Sequence, residues 1–324
     1  MPFAIRIHQT GGPEAMQWEE VDIAEPGPGE VRLRHTAIGV NYIDTYHRSG
    51  LYPMPLPLMI GREAAGIVDG VGEGVTEFAA GDRAAYCTGG LGSYTEMRNV
   101  PADRLVKLPE GITDAQAASM MLKGLTCQYL FRRTYPLKPA DTILFHAAAG
   151  GVGQIACQWA KALNVTMIGT VGSDDKAELA KSLGCTHTIN YRTENFVEKT
   201  RELTGGKGVP VVYDGVGKDT FLGSLDCLSK FGLMVLFGNA SGAVAPFNPG
   251  LLAGKGSLYL TRPTLDTYAG SRPELLAMAD DLFKLVINGK IKMEPSKTFA
   301  LKDAAEAHRE LEARQTTGSI ILVP

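Results

Sequence analysis

The sequence predicts an α/β fold in which a doubly wound parallel sheet accompanies a second, β-rich domain. Three observations predict it. Short, glycine-punctuated strands dominate the N-terminal part, strands alternate with helices from residue 141 onward, and a strand–glycine turn–helix unit opens that alternating part. The 324 residues are enough for two domains with a core in each.

The composition narrows the classes of function. The chain is 44% hydrophobic and 21% charged, and its net charge is −3. No dense Lys/Arg run occurs, which disfavours nucleic-acid binding as the main task. The five cysteines are odd in number and far apart, which disfavours disulfides and a thiolate metal cage. There is no membrane-spanning apolar run and no signal-peptide pattern, so we expect a cytoplasmic protein.

The N-terminal part reads as a small barrel-like domain. Apolar and polar residues alternate from Val31 to Ala37, which predicts a half-buried strand. The turn Glu25–Gly29 precedes that strand. The stretch Gly61–Arg83 predicts short strands and tight turns. Three prolines in Leu51–Pro57 predict an irregular loop.

The alternating part predicts a parallel sheet of six strands. The strands are Thr142–Phe145, Thr166–Val171, Thr186–Tyr191, Val209–Tyr213, Leu233–Phe237 and Leu258–Thr261. The intervening helices are Asp174–Leu183, Glu194–Thr204 and Asp219–Leu228, together with the helix that follows the glycine turn. This order is typical of a doubly wound fold.

The C-terminal part changes pattern again. Apolar residues from Leu275 to Val286 recur at helical spacing. Asp303 with Glu306 predicts a capping box at the start of the last helix. The final strand, Ser319–Val323, is well placed to rejoin the first domain, which would then be discontinuous.

The glycine turn Ala147–Gly153 is the candidate phosphate-binding element. Glycines allow close approach to a pyrophosphate, and the N–H groups of the following helix point at the anion. The G-x-G-x-x-G frame would place glycine at position 148, where the chain has Ala148. An ordinary strand-to-helix connection is the alternative. Dinucleotide binding is favoured because further βα units follow.

The end of the second strand of this sheet indicates which dinucleotide binds. Gly172 stands where an NAD enzyme usually carries an Asp or Glu for the ribose 2′-hydroxyl. Ser173 can donate a hydrogen bond to a 2′-phosphate, and Lys176 can supply charge. A plain capped helix start is the other interpretation. Asp174 and Asp175 would repel a phosphate unless they point away, but NADP is favoured over NAD.

Several blocks of the sequence together resemble those of one protein family. Asp141-x-x-Leu144-x-x-x-Ala148-Ala149-Gly150-Gly151-x-Gly153-x-x-x-x-Gln158-x-x-Lys161 resembles the signature of quinone oxidoreductases of the zeta-crystallin type. These are zinc-free members of the medium-chain dehydrogenase/reductase superfamily. Other blocks are similar to that family's in the same order, closest to the bacterial NADPH:quinone oxidoreductases: Asn41-Tyr-Ile-Asp-Thr-Tyr46, Gly61-Arg-Glu-Ala-Ala-Gly66, Lys123-Gly-Leu-Thr126, Phe237-Gly-Asn239 and Thr261-Arg-Pro263.

The resemblance implies a Rossmann doubly wound parallel sheet inserted in a GroES-like, β-rich barrel catalytic domain. The catalytic domain would comprise residues 1–122 and 263–324, and the NADP-binding domain residues 123–262. A homodimer would form through an edge strand around Ser257–Thr261. The implied NADP(H)-binding residues are Asn41, Tyr42, Ile43, Asp44, Thr45, Thr126, Tyr129, Gly150, Gly151, Val152, Gly172, Ser173, Lys176, Tyr191, Val216, Phe237, Gly238, Asn239 and Arg314. Of these, Ser173, Lys176, Tyr191 and Arg314 would form the 2′-phosphate site. The sequence alone favours another interpretation of Arg314, as a solvated charge that complements the dipole at a helix C-terminus.

The sequence also predicts that no zinc is bound. Zinc alcohol dehydrogenases of this superfamily carry Gly-His-Glu, whereas this chain has Arg62 between Gly61 and Glu63, and a guanidinium cannot ligate zinc. The cysteine that would supply another ligand falls on Asn41. His146 reads as a packed residue rather than a ligand.

Without a Lewis acid, the substrate should accept hydride readily, as a quinone does. The family resemblance implies Asn41, Tyr46 and Tyr52 as candidate donors to the reduced oxygen, because their block faces the nicotinamide in that family. The two tyrosines could instead be loop aromatics packed against Leu56 and Leu58. We therefore expect an NADPH-dependent quinone reductase without flavin or metal, passing electrons in pairs or singly.

Two other functions are compatible with the sequence. One is a zinc-free alkene or enoyl reductase acting on α,β-unsaturated carbonyls with the same cofactor. The other, of a different class, is a non-enzymatic protein that senses nucleotides or binds RNA, against which the near-neutral charge argues.

Overall fold

The computed structural model describes all 324 residues, which divide into two compact units. The first comprises Met1–Leu125, Ala269–Gly289 and Met293–Pro324. The second comprises Thr126–Tyr268 and Lys290–Lys292. The domain boundaries expected from the family resemblance, after residues 122 and 262, stay a prediction.

The chain forms strands and helices throughout. The strands are β1 (Phe3–Ile7), β2 (Met16–Glu20), β3 (Glu30–Val40), β4 (Leu58–Met59), β5 (Glu63–Val71), β6 (Arg83–Tyr86), β7 (Met97–Pro101), β8 (Val106–Lys107), β9 (Thr142–Phe145), β10 (Thr166–Val171), β11 (His187–Asn190), β12 (Val209–Asp214), β13 (Leu228–Leu236), β14 (Tyr259–Thr261), β15 (Pro295–Ala300) and β16 (Ser319–Val323). The helices are α1 (Tyr42–Ser49), α2 (Asp114–Tyr129), α3 (Gly151–Ala162), α4 (Asp174–Ser182), α5 (Phe196–Leu203), α6 (Phe221–Cys227), α7 (Gly250–Gly254), α8 (Leu265–Tyr268), α9 (Arg272–Ile287) and α10 (Ala304–Glu312). None of the helices is both long and apolar enough to cross a membrane.

The first unit is built around a largely antiparallel sheet. Its strand order is β15-β16-β3-β5-β6-β8, and β7 also pairs with β3. The side chains of Val31 and Leu33 on β3 are buried and those beside them are less so, as the alternation predicts. Strand β16 pairs with β3, with Ile320 opposite Val40, which confirms that the end of the chain rejoins the first part.

The second unit contains the predicted six-stranded parallel sheet, in the order β11-β10-β9-β12-β13-β14. The chain runs outward from β9 to β11 and then returns to β12 on the other side of β9. Loops at the carboxyl ends of β9 and β12 therefore diverge, and such a switch point is where open α/β sheets bind ligands.

Two local features differ from the sequence analysis. The predicted capping box at Asp303 is wrong, because Asp303 makes no side-chain cap hydrogen bond. A 3-10 turn, Leu301–Asp303, runs directly into α10, so the backbone of Asp303 lacks the extended conformation that a side-chain cap needs. Helices α1, α7 and α8 were not predicted.

Candidate active site

The glycine turn connects β9 to α3 in the second unit. Gly150 is the N-cap residue, and Gly151 and Val152 form the first turn of a helix of 12 residues. The first N–H groups of an α-helix have no partner within the helix and carry its positive dipole end. All three residues are partly exposed. These backbone groups can therefore bind a pyrophosphate.

The turn itself explains why alanine stands at position 148. The residue with a left-handed backbone is Ala147, at φ 56°, not Ala148. The methyl group of Ala148 lies against Gly169 of β10. Gly153 is the position that requires glycine, because a Cβ there would lie 2.3 Å from the carbonyl oxygen of Ala147. The departure from the G-x-G-x-x-G frame therefore leaves the shape of the turn intact.

Three of the four predicted 2′-phosphate residues, Ser173, Lys176 and Tyr191, lie near the end of β10. Ser173 caps α4, and its Oγ accepts a hydrogen bond from the amide of Lys176 at 3.4 Å. The hydroxyl of Tyr191 lies over Gly172, where a Cβ would approach it to 2.5 Å. Gly172 thus makes room for the Tyr191 hydroxyl.

One of the two aspartates that could repel a phosphate already has a hydrogen-bond partner within the protein. Asp174 Oδ1 accepts a hydrogen bond from Asn190 Nδ2 at 2.8 Å, at the end of the neighbouring strand β11. Asp175 is exposed on the first turn of α4. Ser173 and Tyr191 can donate hydrogen bonds to a phosphate, and Lys176 can supply positive charge.

Two loops from the neighbouring strands β12 and β13 pack backbone to backbone. Residues 237–239 follow β13, and the amide of Ala240 donates to the carbonyl of Gly215 at 3.1 Å. Ser241 donates likewise to the carbonyl of Val216 at 2.8 Å. The predicted ligands Val216, Phe237, Gly238 and Asn239 are thus brought together at the switch-point edge of the sheet.

Sequence reasoning missed the residue that holds the first of these loops. Asp214, at the end of β12, is fully buried. Its Oδ1 accepts hydrogen bonds from the amides of Val216 at 2.8 Å and Gly217 at 3.0 Å. An aspartate between a buried strand and a Gly-Val-Gly run was the available signal, since a carboxylate there can satisfy the turn's N–H groups.

Tyr129 and Thr126 lie on the second-unit portion of α2. Tyr129 stacks on Tyr268 with ring centroids 4.6 Å apart. Burial raises the pKa of Tyr129, and the nearby charge of Arg262 and a hydrogen bond with Thr126 oppose that rise. Arg262 is a second residue that sequence reasoning left out of the site, although it lies in one of the recognised blocks.

In the first unit, the predicted NADP(H)-binding segment Asn41–Thr45 forms the start of α1. Asp44 Oδ2 accepts a hydrogen bond from the amide of Asn41 at 2.8 Å and so caps the helix. Tyr94 donates to the same oxygen at 3.1 Å. Tyr42 and Ile43 are half-buried, whereas Asp44 and Thr45 are buried. Burial raises the pKa of Asp44 to about 7.

Asn41 belongs to a buried charged cluster, which we define as Asn41, Glu63 and Lys123. Asn41 Nδ2 donates to Glu63 Oε2 at 2.8 Å, and Lys123 Nζ lies 3.4 Å from the same oxygen. The amide of Leu122 donates to Glu63 Oε1 at 2.7 Å. Burial raises the pKa of Glu63, and Lys123 is the strongest influence opposing that rise. The side-chain amide of Asn41, which the sequence analysis named as a candidate donor to the substrate, is thus already hydrogen-bonded to Glu63.

The two candidate tyrosines touch each other. Tyr46 is buried on α1 rather than in a loop, and Tyr52 is half-buried just beyond the helix. Their rings meet edge to face at 5.2 Å, and Tyr52 also contacts the ring of His47 at 5.9 Å. Packing against Leu56 and Leu58 was the alternative interpretation of these tyrosines, and the observed ring contacts join Tyr46, Tyr52 and His47. Tyr52 is half-buried, whereas the buried Asn41 side chain donates to Glu63.

Arg314 follows α10 instead of lying in it. Its backbone is left-handed, with φ 57°, and its side chain is exposed. Its charge lowers the pKa of Tyr42, which burial raises overall. Within the first unit, the structure thus places Arg314 near the start of α1.

Comparison with known proteins supplies the context for this geometry. Residues 27–110 match the alcohol dehydrogenase GroES-like domain and residues 151–276 match the zinc-binding dehydrogenase family. A quinone oxidoreductase of Pseudomonas aeruginosa is 58% identical, and the match covers 100% of both chains. The chain belongs to the quinone oxidoreductase family. This family is part of the medium-chain dehydrogenase/reductase superfamily, as the sequence predicted.

Two further relatives bear on chemistry. A solved structure of the Escherichia coli quinone oxidoreductase in complex with NADPH has a TM-score of 0.98 and 52% identity, covering 99% of this chain and 100% of that one. A 2-haloacrylate reductase of a Burkholderia species is 49% identical, covering 100% of this chain and 99% of that protein. The family therefore includes proteins named for quinones and a protein named for an activated alkene.

The donor set of this quinone oxidoreductase family member does not fit the zinc that the matched family's name implies. No three His, Cys, Asp or Glu side chains cluster as possible metal ligands in the chain. At the expected position, both oxygens of Glu63 accept hydrogen bonds from within the protein, and the nearby cation is Lys123. A second cation beside Lys123 would be repelled.

Proposed function

We propose that this protein is an NADPH-dependent quinone reductase that acts without zinc or flavin. The observation that carries the proposal is the Asn41, Glu63 and Lys123 cluster in a protein that also has a dinucleotide-binding sheet. An internal ion pair stands where a zinc dehydrogenase has its metal, so the acceptor must take up hydride without Lewis-acid help. Quinones meet that requirement because their reduced oxygen is a stabilised phenolate.

The residues of the second unit fit NADPH. The first turn of α3, with Gly150, Gly151 and Val152, would bind the pyrophosphate. Ser173, Lys176 and Tyr191 would bind the 2′-phosphate through hydrogen bonds and charge. The proposed contacts with the ribose and ring regions involve Gly172, Thr126, Tyr129, Val216, Phe237, Gly238 and Asn239. In the first unit, we propose such contacts for Asn41, Tyr42, Ile43, Asp44 and Thr45, and a phosphate contact for Arg314.

Bound NADPH supplies the hydride. The quinone gains this hydride and one proton from solvent and becomes the hydroquinone. The role of the protein is to orient the two partners and to stabilise negative charge on the quinone oxygen. We propose Tyr52 as the main donor to that oxygen, with Tyr46 holding its ring in place by the edge-to-face contact.

Substrate preference tests this proposal. With NADPH in excess, we expect higher kcat/KM values for 1,4-benzoquinone and a naphthoquinone than for a series of enones. Steady-state absorbance measurements at the NADPH band give these values. Saturable turnover of the enones with none of the quinones would overturn the assignment.

The second candidate function is reduction of activated alkenes. It is favoured by the 49% identity to the 2-haloacrylate reductase. A 2-haloacrylate belongs in the same panel of substrates. Turnover of this compound at a kcat/KM above that of the quinones would make alkene reduction the main activity.

The 2′-phosphate site predicts a preference that one substitution removes. Lys176→Ala should raise the NADPH dissociation constant about tenfold or more, because a charge-assisted hydrogen bond is lost. The NADH dissociation constant should change little. Fluorescence titration measures both. Lys181→Ala is the matched control, since Lys181 lies on the same helix and pairs with Glu178 at 3.0 Å. Equal effects of Lys176→Ala on the two nucleotides would contradict the assignment.

We further propose a cytoplasmic homodimer. Strand β14 lies at the edge of the parallel sheet, with Tyr259 exposed, and sheet edges offer unpaired backbone groups to a second copy. All five cysteines are buried and free, which fits a reducing compartment. Sedimentation should give twice the 34.6 kDa mass of one chain; the mass of a single chain would exclude the dimer.

A further inference from the structure

A continuous chain of hydrogen bonds runs beneath the carboxyl ends of three neighbouring strands of the second unit. Its members are Thr170 on β10, His146 after β9, Ser224 on α6 and Asp214 on β12, and all four side chains are buried. Thr170 Oγ1 lies 2.9 Å from His146 Nδ1, and His146 Nε2 lies 2.9 Å from Ser224 Oγ. Ser224 Oγ donates to Asp214 Oδ2 at 2.8 Å.

The chemistry of the groups assigns a direction to the chain. Asp214 acts only as an acceptor, since all its partners are N–H or O–H donors. The single proton of Ser224 therefore goes to Asp214, and Ser224 Oγ must accept from His146 Nε2. The other ring nitrogen, Nδ1, then accepts from Thr170. Burial lowers the pKa of His146, although Asp214 opposes the shift, and a neutral imidazole is what the chain needs.

Each end of the chain reaches a loop. At one end, Thr170 Oγ1 accepts from the amide of Ala147, the first residue of the glycine turn, at 3.4 Å. At the other end, Asp214 holds the amides of Val216 and Gly217. These are the pyrophosphate loop and the ribose-side loop of the proposed function.

We propose that Thr170, His146 and Ser224 are positioning residues that lock the glycine turn and the loop 214–217 in one mutual arrangement, so that NADPH meets both loops already aligned. The proposal rests on the proposed function for the identity of the ligand. It goes beyond that function because none of the three side chains is assigned to contact NADPH.

Three features favour alignment over simple core filling. The paired strands β9 and β12 are joined as far as the hydrogen bond from the amide of His146 to the carbonyl of Tyr213 at 3.0 Å, and the two loops begin beyond that bond. His146 uses both ring nitrogens, one toward each loop, while Phe196 packs edge-on against its ring at 5.0 Å. A fully satisfied buried network also rigidifies the groups that it joins.

A double-mutant cycle on NADPH binding tests the proposal. Thr170→Val keeps the shape of the side chain and removes the donor to His146, and Ser224→Ala removes the link to Asp214. We expect each change to raise the NADPH dissociation constant about tenfold, within the usual range of coupling between sites. Because either change alone breaks the chain, the double variant should also show about a tenfold increase.

Two controls accompany the cycle. Thr170→Ser retains the hydroxyl and should bind NADPH within about twofold of wild type. Thr200→Val removes a buried hydroxyl elsewhere in the second unit, on α5, and should leave the dissociation constant unchanged. If Ser224→Ala does not fold, the contrast between Thr170→Val and Thr170→Ser still decides the question.

Independent effects, with about a hundredfold increase in the double variant, would overturn the proposal. Unchanged binding in both single variants would overturn it too. Wild-type protein that neither binds NADPH nor reduces quinones would instead contradict the proposed function. The two failures are therefore distinguishable.

Discussion

The two units bury polar groups in opposite ways. The first encloses ionisable partners, with Glu63 facing Lys123 at 3.4 Å. The second carries its polarity through neutral links, Thr170, His146 and Ser224, and ends on one carboxylate whose oxygens accept several donors. Removing a partner from the first network leaves a buried charge, whereas breaking the second leaves unsatisfied neutral groups. Substitutions in the first network should therefore change the free energy of unfolding and its pH dependence. Substitutions in the second network should mainly change how the groups that it joins are placed.

The largest expected loss of stability comes from a substitution in the buried charged cluster of Asn41, Glu63 and Lys123. Lys123→Met should lower the free energy of unfolding by about 3–5 kcal/mol at alkaline pH, because Glu63 is left buried without its cation. Urea unfolding followed by circular dichroism measures the loss. The loss should shrink toward acidic pH, where Glu63 can take up a proton.

The double variant Glu63→Gln/Lys123→Met controls this experiment. It removes both charges, so it should be more stable than Lys123→Met alone. A single variant as stable as wild type at all pH values would break the comparison between the two units.

The second prediction concerns the pH dependence that Asp44 gives to the free energy of unfolding. Its pKa of about 7 in the folded protein lies well above the unfolded value of about 3.9. The folded state thus holds a proton that the unfolded state releases, so stability falls as pH rises toward 7. The slope from this group is at most about 1.4 kcal/mol per pH unit.

Asp44→Asn should remove that contribution. The free energy of unfolding of the variant, measured by urea titration between about pH 5 and pH 7, should fall less steeply than that of wild type. Parallel curves for the two proteins would show that Asp44 does not carry the pH dependence.

The smallest effect on stability is expected in the neutral chain. Ser224→Ala should lower the free energy of unfolding by about 1–2 kcal/mol, the cost of one lost hydrogen bond and one unsatisfied group. Val216, Gly217 and Thr220 still donate to Asp214, so the carboxylate keeps partners. The loss should be equal at pH 6 and pH 8. A strong pH dependence would mean that this network also carries a buried charge imbalance.

Much of the fold followed from residue patterns. The six parallel strands, the helices α3 to α6 between them and the returning strand Ser319–Val323 were predicted and are present. Alternation and helical spacing report burial directly, so long regular segments are readable. Helix α1 was missed because Tyr42, Ile43 and Thr45 are weak helix formers. Tertiary contacts, including those of Tyr94 with Asp44, stabilise it instead.

The candidate site was readable to a lesser degree. The glycine turn and the segment Gly172–Lys176 are local patterns, and the structure brings each together as a compact group. The roles of their residues stay predictions. His146 was predicted to be packed, and it is buried, but its two hydrogen-bonded partners are distant in sequence. No local sequence pattern predicts hydrogen-bond partners that are distant in the chain.

The sequence by itself determined the family, the six strands of the parallel sheet with the helices α3 to α6, and the position of the phosphate-binding turn. These follow from local spacing and from short motifs, which need no knowledge of distant contacts. Only the tertiary structure decided that Lys123 partners Glu63, that the Tyr191 hydroxyl lies over Gly172, and that His146 connects two loops. Each of these is a long-range contact, fixed by how the strands and helices pack rather than by the residues next to it in the chain.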